Sequence, residues 1–269
     1  MIVVSRDNKT VRLPQVSQAR LKLFTLSNKS YLRRHFRRIA VLKSGLPRIF
    51  SQPTVVYLNH PSWWDPLVCL FLSRCFFADR VSFAPMDAAM LERYGFFRHL
   101  GFFGVERDAI RGASNFLRTS RALLASSRNM LWITPQGRFA DVRERPLRLQ
   151  TGLATIAGTL PGVVFVPLAM EYSFWTESRP EILVSFGRCL TFNGKRRIGT
   201  AQCNHILSDA LEDTQDNLAT AVCRRNPRDF LTIHRGQQGG NRIYDVSRRL
   251  KAWARGQSFA AEHQRESNE

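Results

Sequence analysis

The sequence predicts an α/β fold: a mixed, largely parallel sheet flanked by helices, with a basic amphipathic helical segment before it and further helices after it. Three observations carry that expectation. Between residues 54 and 186, short apolar runs of strand length alternate with stretches of helical period. The chain has 269 residues, 44% of them hydrophobic, which is enough to bury one full core. Its first fifty residues differ in character, because cations interleave there with apolar residues and no carboxylate occurs between Asn8 and Trp64.

Taken in order, Leu21, Leu23, Phe24, Leu26, Tyr31, Leu32, Phe36, Ile39, Ala40 and Leu42 recur at mostly helical spacing among Arg20, Lys22, Lys29, Arg33, Arg34, Arg37 and Arg38. That pattern predicts one or two amphipathic helices, which either lie among anionic headgroups or pack their apolar side on the core. Strands are expected over 54–59, 81–84, 102–106, 130–133, 163–170 and 181–186, and helices over 65–77, 86–93, 109–126 and 149–160. After Gly187, residues 198–225 and 243–255 read as helices, and the tail from Ala260 as frayed. The expected organisation is therefore a basic segment at 1–50, a core at 51–190 and a C-terminal helical extension at 191–269.

The densest chemistry follows the first core strand, in Asn59-His60-Pro61-Ser62-Trp63-Trp64-Asp65-Pro66. An imidazole and a carboxylate five residues apart cannot share a face of one helix, since five residues turn through about 500°. His60 is thus expected in a turn and Asp65 on the first helical turn after it, where a carboxylate suits the helix dipole. So placed, Asp65 fixes the tautomer of His60, and His60 takes a proton from an alcohol with no serine or cysteine nucleophile. Ser62 lacks the glycine-flanked turn of a nucleophilic serine and reads as a capping residue.

Three further segments stand downstream in order. Gly101-Phe102-Phe103-Gly104-Val105-Glu106-Arg107 delivers a guanidinium to a strand end, where it can grip phosphate or carboxylate. Met130 to Ile133 is followed by Thr134-Pro135-Gln136-Gly137-Arg138-Phe139, and Val163 to Met170 reads as a buried strand containing Pro167. This series resembles the four motifs of the glycerolipid (lysophospholipid) acyltransferases, which transfer a fatty acyl group from a thioester to a hydroxyl. The resemblance covers roughly residues 59–170.

It implies His60 and Asp65 as catalytic residues, and Asn59, Ser62, Arg107, Gln136, Gly137 and Arg138 as substrate-binding residues. Two positions depart from the family pattern: Gln136 replaces a glutamate and Gln150 a lysine. Arg138 comes one position earlier than the family's arginine, whose place Phe139 takes. Amides carry no charge, so an acceptor with a neutral or glycosylated head is expected over lysophosphatidic acid, with Arg138 as the counterweight. The resemblance further implies acyl-CoA or acyl carrier protein as cosubstrate and a lipid acceptor as partner, and no metal or redox cofactor. Two readings compete: an inactive copy of the fold that binds membrane or nucleic acid, and a thioesterase or transacylase.

Composition narrows the partners. A formal net charge of +19 calls for a polyanionic surface. Most aromatics lie in core-like runs and no nucleic-acid-binding signature is present, so an anionic membrane is expected and nucleic acid is not. Five cysteines without a Cys-x-x-Cys give neither a disulfide framework nor a zinc site. The longest uncharged stretch, Leu149 to Met170, is broken by three glycines and two prolines, and the first residues lack signal-peptide order. The expected location is cytoplasmic, peripheral on the cytosolic face of a membrane.

Overall fold

A computed structural model describes residues 2–4, 10–106, 109–192 and 198–237. Alternation along the strands builds the core. In β4 (Thr54–Leu58), Val55 and Tyr57 face one side of the sheet while Val56 and Leu58 face the other, and all are buried. The pattern repeats in β7 (Asn129–Ile133) and β8 (Val164–Ser173), the neighbours of β4, with which both pair in parallel. Strands apolar on both faces require cover on both, and they receive it. Helices α1 (Gln18–His35) and α2 (Asp65–Phe76) pack on the Val56 side; α4 (Ile110–Leu124), α5 (Thr151–Thr159) and α6 (Thr200–Arg224) pack on the other.

The remaining strands are β3 (Arg38–Leu42), β5 (Val81–Asp87), β6 (Phe102–Val105), β9 (Glu181–Phe186), β10 (Leu190–Thr191) and β11 (Phe230–Arg235). The nine-stranded sheet runs β11-β3-β9-β8-β4-β7-β5-β6, with β10 added to β8 beyond the end of β9. Pairing is parallel from β6 through to β8 and between β3 and β9, and antiparallel at β8/β9, β8/β10 and β3/β11. The mixed, largely parallel sheet is thus observed. A separate antiparallel pair joins β1 (Ile2–Val4) to β2 (Thr10–Arg12), and α3 (Ala88–Arg93) follows β5.

Three expectations are corrected. Residues 39–42 do not continue an amphipathic helix; they form β3, fully inside the sheet. Their flanking cations misled the reading, because Arg37 and Arg38 both bind Glu181, 2.9 and 2.7 Å away, and Arg38 is buried against it with Trp175 over its guanidinium. The helix expected from Met86 begins at Ala88, since β5 continues to Asp87, whose carboxylate caps the amides of Ala89 and Met90. Strand β11 was not foreseen, and its bulge between Thr232 and His234 breaks the alternation that would have marked it. The expected helix at 243–255 lies outside the described residues.

Helix α1 presents two apolar stripes. Leu21, Phe24, Asn28 and Leu32 turn inward, where Asn28 donates to the Leu67 carbonyl of α2 at 2.8 Å. Leu23 and Leu26 face outward, 70% and 64% exposed, on a helix that also carries Lys22, Lys29, Arg33 and Arg34. Among the described residues no helix is long and apolar enough to cross a membrane.

Candidate active site

The site forms where β4, β7 and β8 end, the side of an open α/β sheet on which ligands gather. Asn59 leaves β4 and locks onto β8: its amide donates to the Met170 carbonyl and its oxygen accepts from the Met170 amide, at 3.0 and 2.9 Å. This two-point clamp satisfies a buried side chain and fixes the start of the turn that holds His60. The His60 amide then donates to Gln136 Oε1 at 3.2 Å, and the His60 carbonyl accepts from the Ala140 amide at 3.0 Å. Both ends of the His60 backbone are therefore held by the segment that follows β7.

Helix α2 begins at Asp65, with Pro66 in its first turn, where a missing N–H costs nothing. Pro61 lies in the turn and not at the helix start. Asp65 is 1% exposed and accepts three hydrogen bonds: His60 Nδ1 at 2.6 Å and the Ser62 amide at 3.1 Å on Oδ2, and the Tyr172 hydroxyl at 2.6 Å on Oδ1. An ionised carboxylate only accepts, so the proton of this pair sits on Nδ1. Nε2 is left as the acceptor nitrogen, and it has no protein partner among the described residues. Ser62 Oγ accepts from the Trp64 amide at 3.3 Å, a capping contact.

Tyr172 was missed by the sequence reading, which ended the strand at Met170. The signal was there: Val164, Val166, Leu168, Met170 and Tyr172 continue one alternating face of β8. Burial, with the charge of Asp65 beside it, holds the Tyr172 hydroxyl well above the ordinary tyrosine value, so it stays a donor at every working pH. Cys69, one turn beyond Asp65 on α2, has its thiol pushed up by burial and then by Asp65. It stays protonated and supplies no thiolate nucleophile.

The segment after β7 turns at Gly137, whose φ of 69° lies in the left-handed region that favours glycine. Gln136 is 5% exposed, and its carbonyl is spent on the His60 backbone. The Gln150 side chain packs on Gly137, and the Gln150 backbone N–H donates to the Pro135 carbonyl at 2.7 Å. Arg138 is half exposed and pairs with Glu144, while Arg143 pairs with Asp141 and Arg145 with Asp216. Three of the four cations expected to reach in from this loop, Arg138, Arg143 and Arg145, are thus engaged by carboxylates, while Arg148 is exposed and forms no ion pair among the described residues. Phe139 leans on the His60 ring at 4.4 Å between centroids.

Of the residues foreseen, Asn59, His60, Ser62, Asp65, Gln136 and Gly137 converge, and Arg138 sits at the rim with its charge matched. Arg107 lies outside the described residues. Among the described residues no group of three His, Cys, Asp or Glu is placed to hold a metal ion.

A family model described as Acyltransferase matches residues 24–171, more than half of the chain. The match runs from α1 to two residues short of the end of β8 and contains the whole His60–Asp65 turn and the segment after β7. No curated protein matches the chain.

Proposed function

The chain belongs to the acyltransferase family, that of the glycerolipid acyltransferases, and from that premise we propose an O-acyltransferase that moves a fatty acyl group from acyl-CoA or acyl carrier protein to a lipid hydroxyl at a membrane surface. The observation that carries the reading is the His60 Nδ1–Asp65 Oδ2 contact of 2.6 Å, which points the tautomer and leaves Nε2 free to act as base. His60 Nε2 takes the proton of the acceptor hydroxyl as its oxygen attacks the thioester carbonyl carbon. The tetrahedral intermediate then collapses, the C–S bond breaks, and the departing sulfur receives the proton from the imidazolium. Asp65 holds the ring and stabilises the positive charge that forms on it.

The acceptor in this reading carries a neutral or glycosylated head. Three features support that: Arg138, Arg143 and Arg145 are matched by carboxylates, an aromatic ring lies against His60, and Gln136 and Gln150 are uncharged. A phosphomonoester would find one unmatched cation in this loop, Arg148, the other three being paired already. Membrane contact is assigned to the exposed Leu23 and Leu26 stripe with the cations of α1, together with Trp63 and Phe139 beside the site. The test is incubation with labelled acyl-CoA or acyl carrier protein and an equimolar mixture of lysophosphatidic acid, glycosylated and neutral hydroxyl lipids. Acylation of the neutral or glycosylated lipids is expected; preference for lysophosphatidic acid would overturn the acceptor assignment, and release of free fatty acid alone would make the protein a thioesterase.

A further inference from the structure

The sheet has a second functional end. Because β9 runs antiparallel to β8, the C-terminal ends of β3 and β9 point away from His60. A cleft of about 920 Å³ opens there between the β3 exit and α6, a volume in the range of small-molecule sites. Its lining includes Val166, which pairs with Val56 of β4 four residues before His60, so this wall lies about 13 Å along the strand from the His60 turn at 3.3 Å per residue.

Five exposed cations line this concavity: Lys43 and Arg48 follow β3, Arg188 follows β9, Arg224 ends α6, and Arg228 lies just after it. Lys43, Arg48, Arg188 and Arg224 form no ion pair among the described residues, in contrast to Arg138, Arg143 and Arg145 at the His60 end. Their charges reach inward: Arg48 acts on Cys189 in the lining, and Arg188 on the buried Tyr57 hydroxyl behind it. Two carboxylates oppose them, and one, Asp229, already accepts from Asn226 at 3.0 Å. Asn217 and Thr220 add neutral groups able to meet hydroxyls.

Unmatched cations on opposite walls of one cleft repel one another unless an anion comes between them. A phosphate group carries about two charges at most, so four unmatched cations suit more than one such group, each recognised by guanidinium through paired donors. We propose that this cleft is a second binding site, for a soluble small molecule that carries at least two phosphate groups. A lipid headgroup has the same chemistry, but Trp63 and the Tyr31–Trp64 contact of α1 belong to the His60 end, and one flat membrane cannot meet both ends.

The test uses the full chain and does not depend on whether it transfers acyl groups. Binding of sodium tripolyphosphate is measured by calorimetry at fixed ionic strength, and binding to phosphatidylglycerol vesicles by sedimentation. Saturable 1:1 binding of tripolyphosphate is expected, weakened about tenfold or more in Arg48→Gln/Arg188→Gln. The control pair Arg121→Gln/Arg128→Gln, exposed on the flank of the sheet, should change it by less than about twofold. Equal weakening in both pairs, or no saturable binding, would reduce the cleft to diffuse charge. Loss of vesicle binding in the first pair with tripolyphosphate binding unaltered would assign it to a lipid surface. Thermal melts confirm that each pair is folded.

Discussion

Removing one oxygen from Tyr172 separates positioning from mere packing at the base. In Tyr172→Phe the ring and its contact with Phe36, 5.8 Å between centroids, remain, so little apolar area is lost. What disappears is a 2.6 Å hydrogen bond to the carboxylate of Asp65, which is 1% exposed and receives no other donor on Oδ1 among the described residues. Hydrogen bonds to charged groups are worth about 1.5–3 kcal/mol. With that donor gone, Asp65 is held by fewer contacts and aligns the His60 ring less firmly. If half of the loss appears in the transition state, about 1 kcal/mol lowers kcat/KM roughly fivefold. The assay is acyl transfer from labelled acyl-CoA, with denaturant unfolding in parallel. A kcat/KM that stays at the wild-type value while stability falls would refute the reasoning, because it would leave Tyr172 a structural role only.

The other predictions are direct. Replacing Lys22, Lys29, Arg33 and Arg34 with glutamine should weaken binding to anionic vesicles and flatten its salt dependence, as vesicle sedimentation would report; Arg37 and Arg38 are left out because they hold Glu181. Glu181→Gln takes the carboxylate from the buried Arg38 and should cost about 3–5 kcal/mol in urea unfolding at an unchanged slope. Burial raises the hydroxyls of both Tyr57 and Tyr172 above 10.0, so the folded protein keeps these protons after the unfolded chain has lost them. Stability should therefore be intact below pH 10.0 and fall as pH rises above it, and a melting temperature that is flat through that window would contradict the assignment.

How much of this was legible in the sequence depended on how local the signal was. Glu181 to Phe186 was placed residue for residue, because a short, largely apolar run bounded by Pro180 and Gly187 announces itself. The His60–Asp65 turn was legible for the same reason, since helix geometry forbids five residues from sharing a face and leaves few alternatives. Strand β3 was not, because the fact that makes Arg38 a buried residue is Glu181, 143 positions away. An amphipathic helix was foreseen at α1, but not that its apolar residues divide between the outward Leu23 and Leu26 and an inward stripe whose Asn28 meets the Leu67 carbonyl. Likewise nothing near Arg138 in the chain announced that Glu144 would match it, nor that Phe139 would lie against His60. The clamp of Asn59 on Met170 and the hold of Gln136 on His60 are long-range contacts of the same kind.

The central claim is that His60, oriented by Asp65, is the base for acyl transfer to a lipid hydroxyl. Purified wild type, His60→Ala and Asp65→Asn are compared for transfer of a labelled acyl group from acyl-CoA or acyl carrier protein to a membrane-lipid extract, with circular dichroism to confirm folding. The account predicts labelled lipid from the wild type and a loss of about 100-fold or more in well-folded His60→Ala, with a loss in Asp65→Asn as well. Near-normal transfer by folded His60→Ala would contradict it.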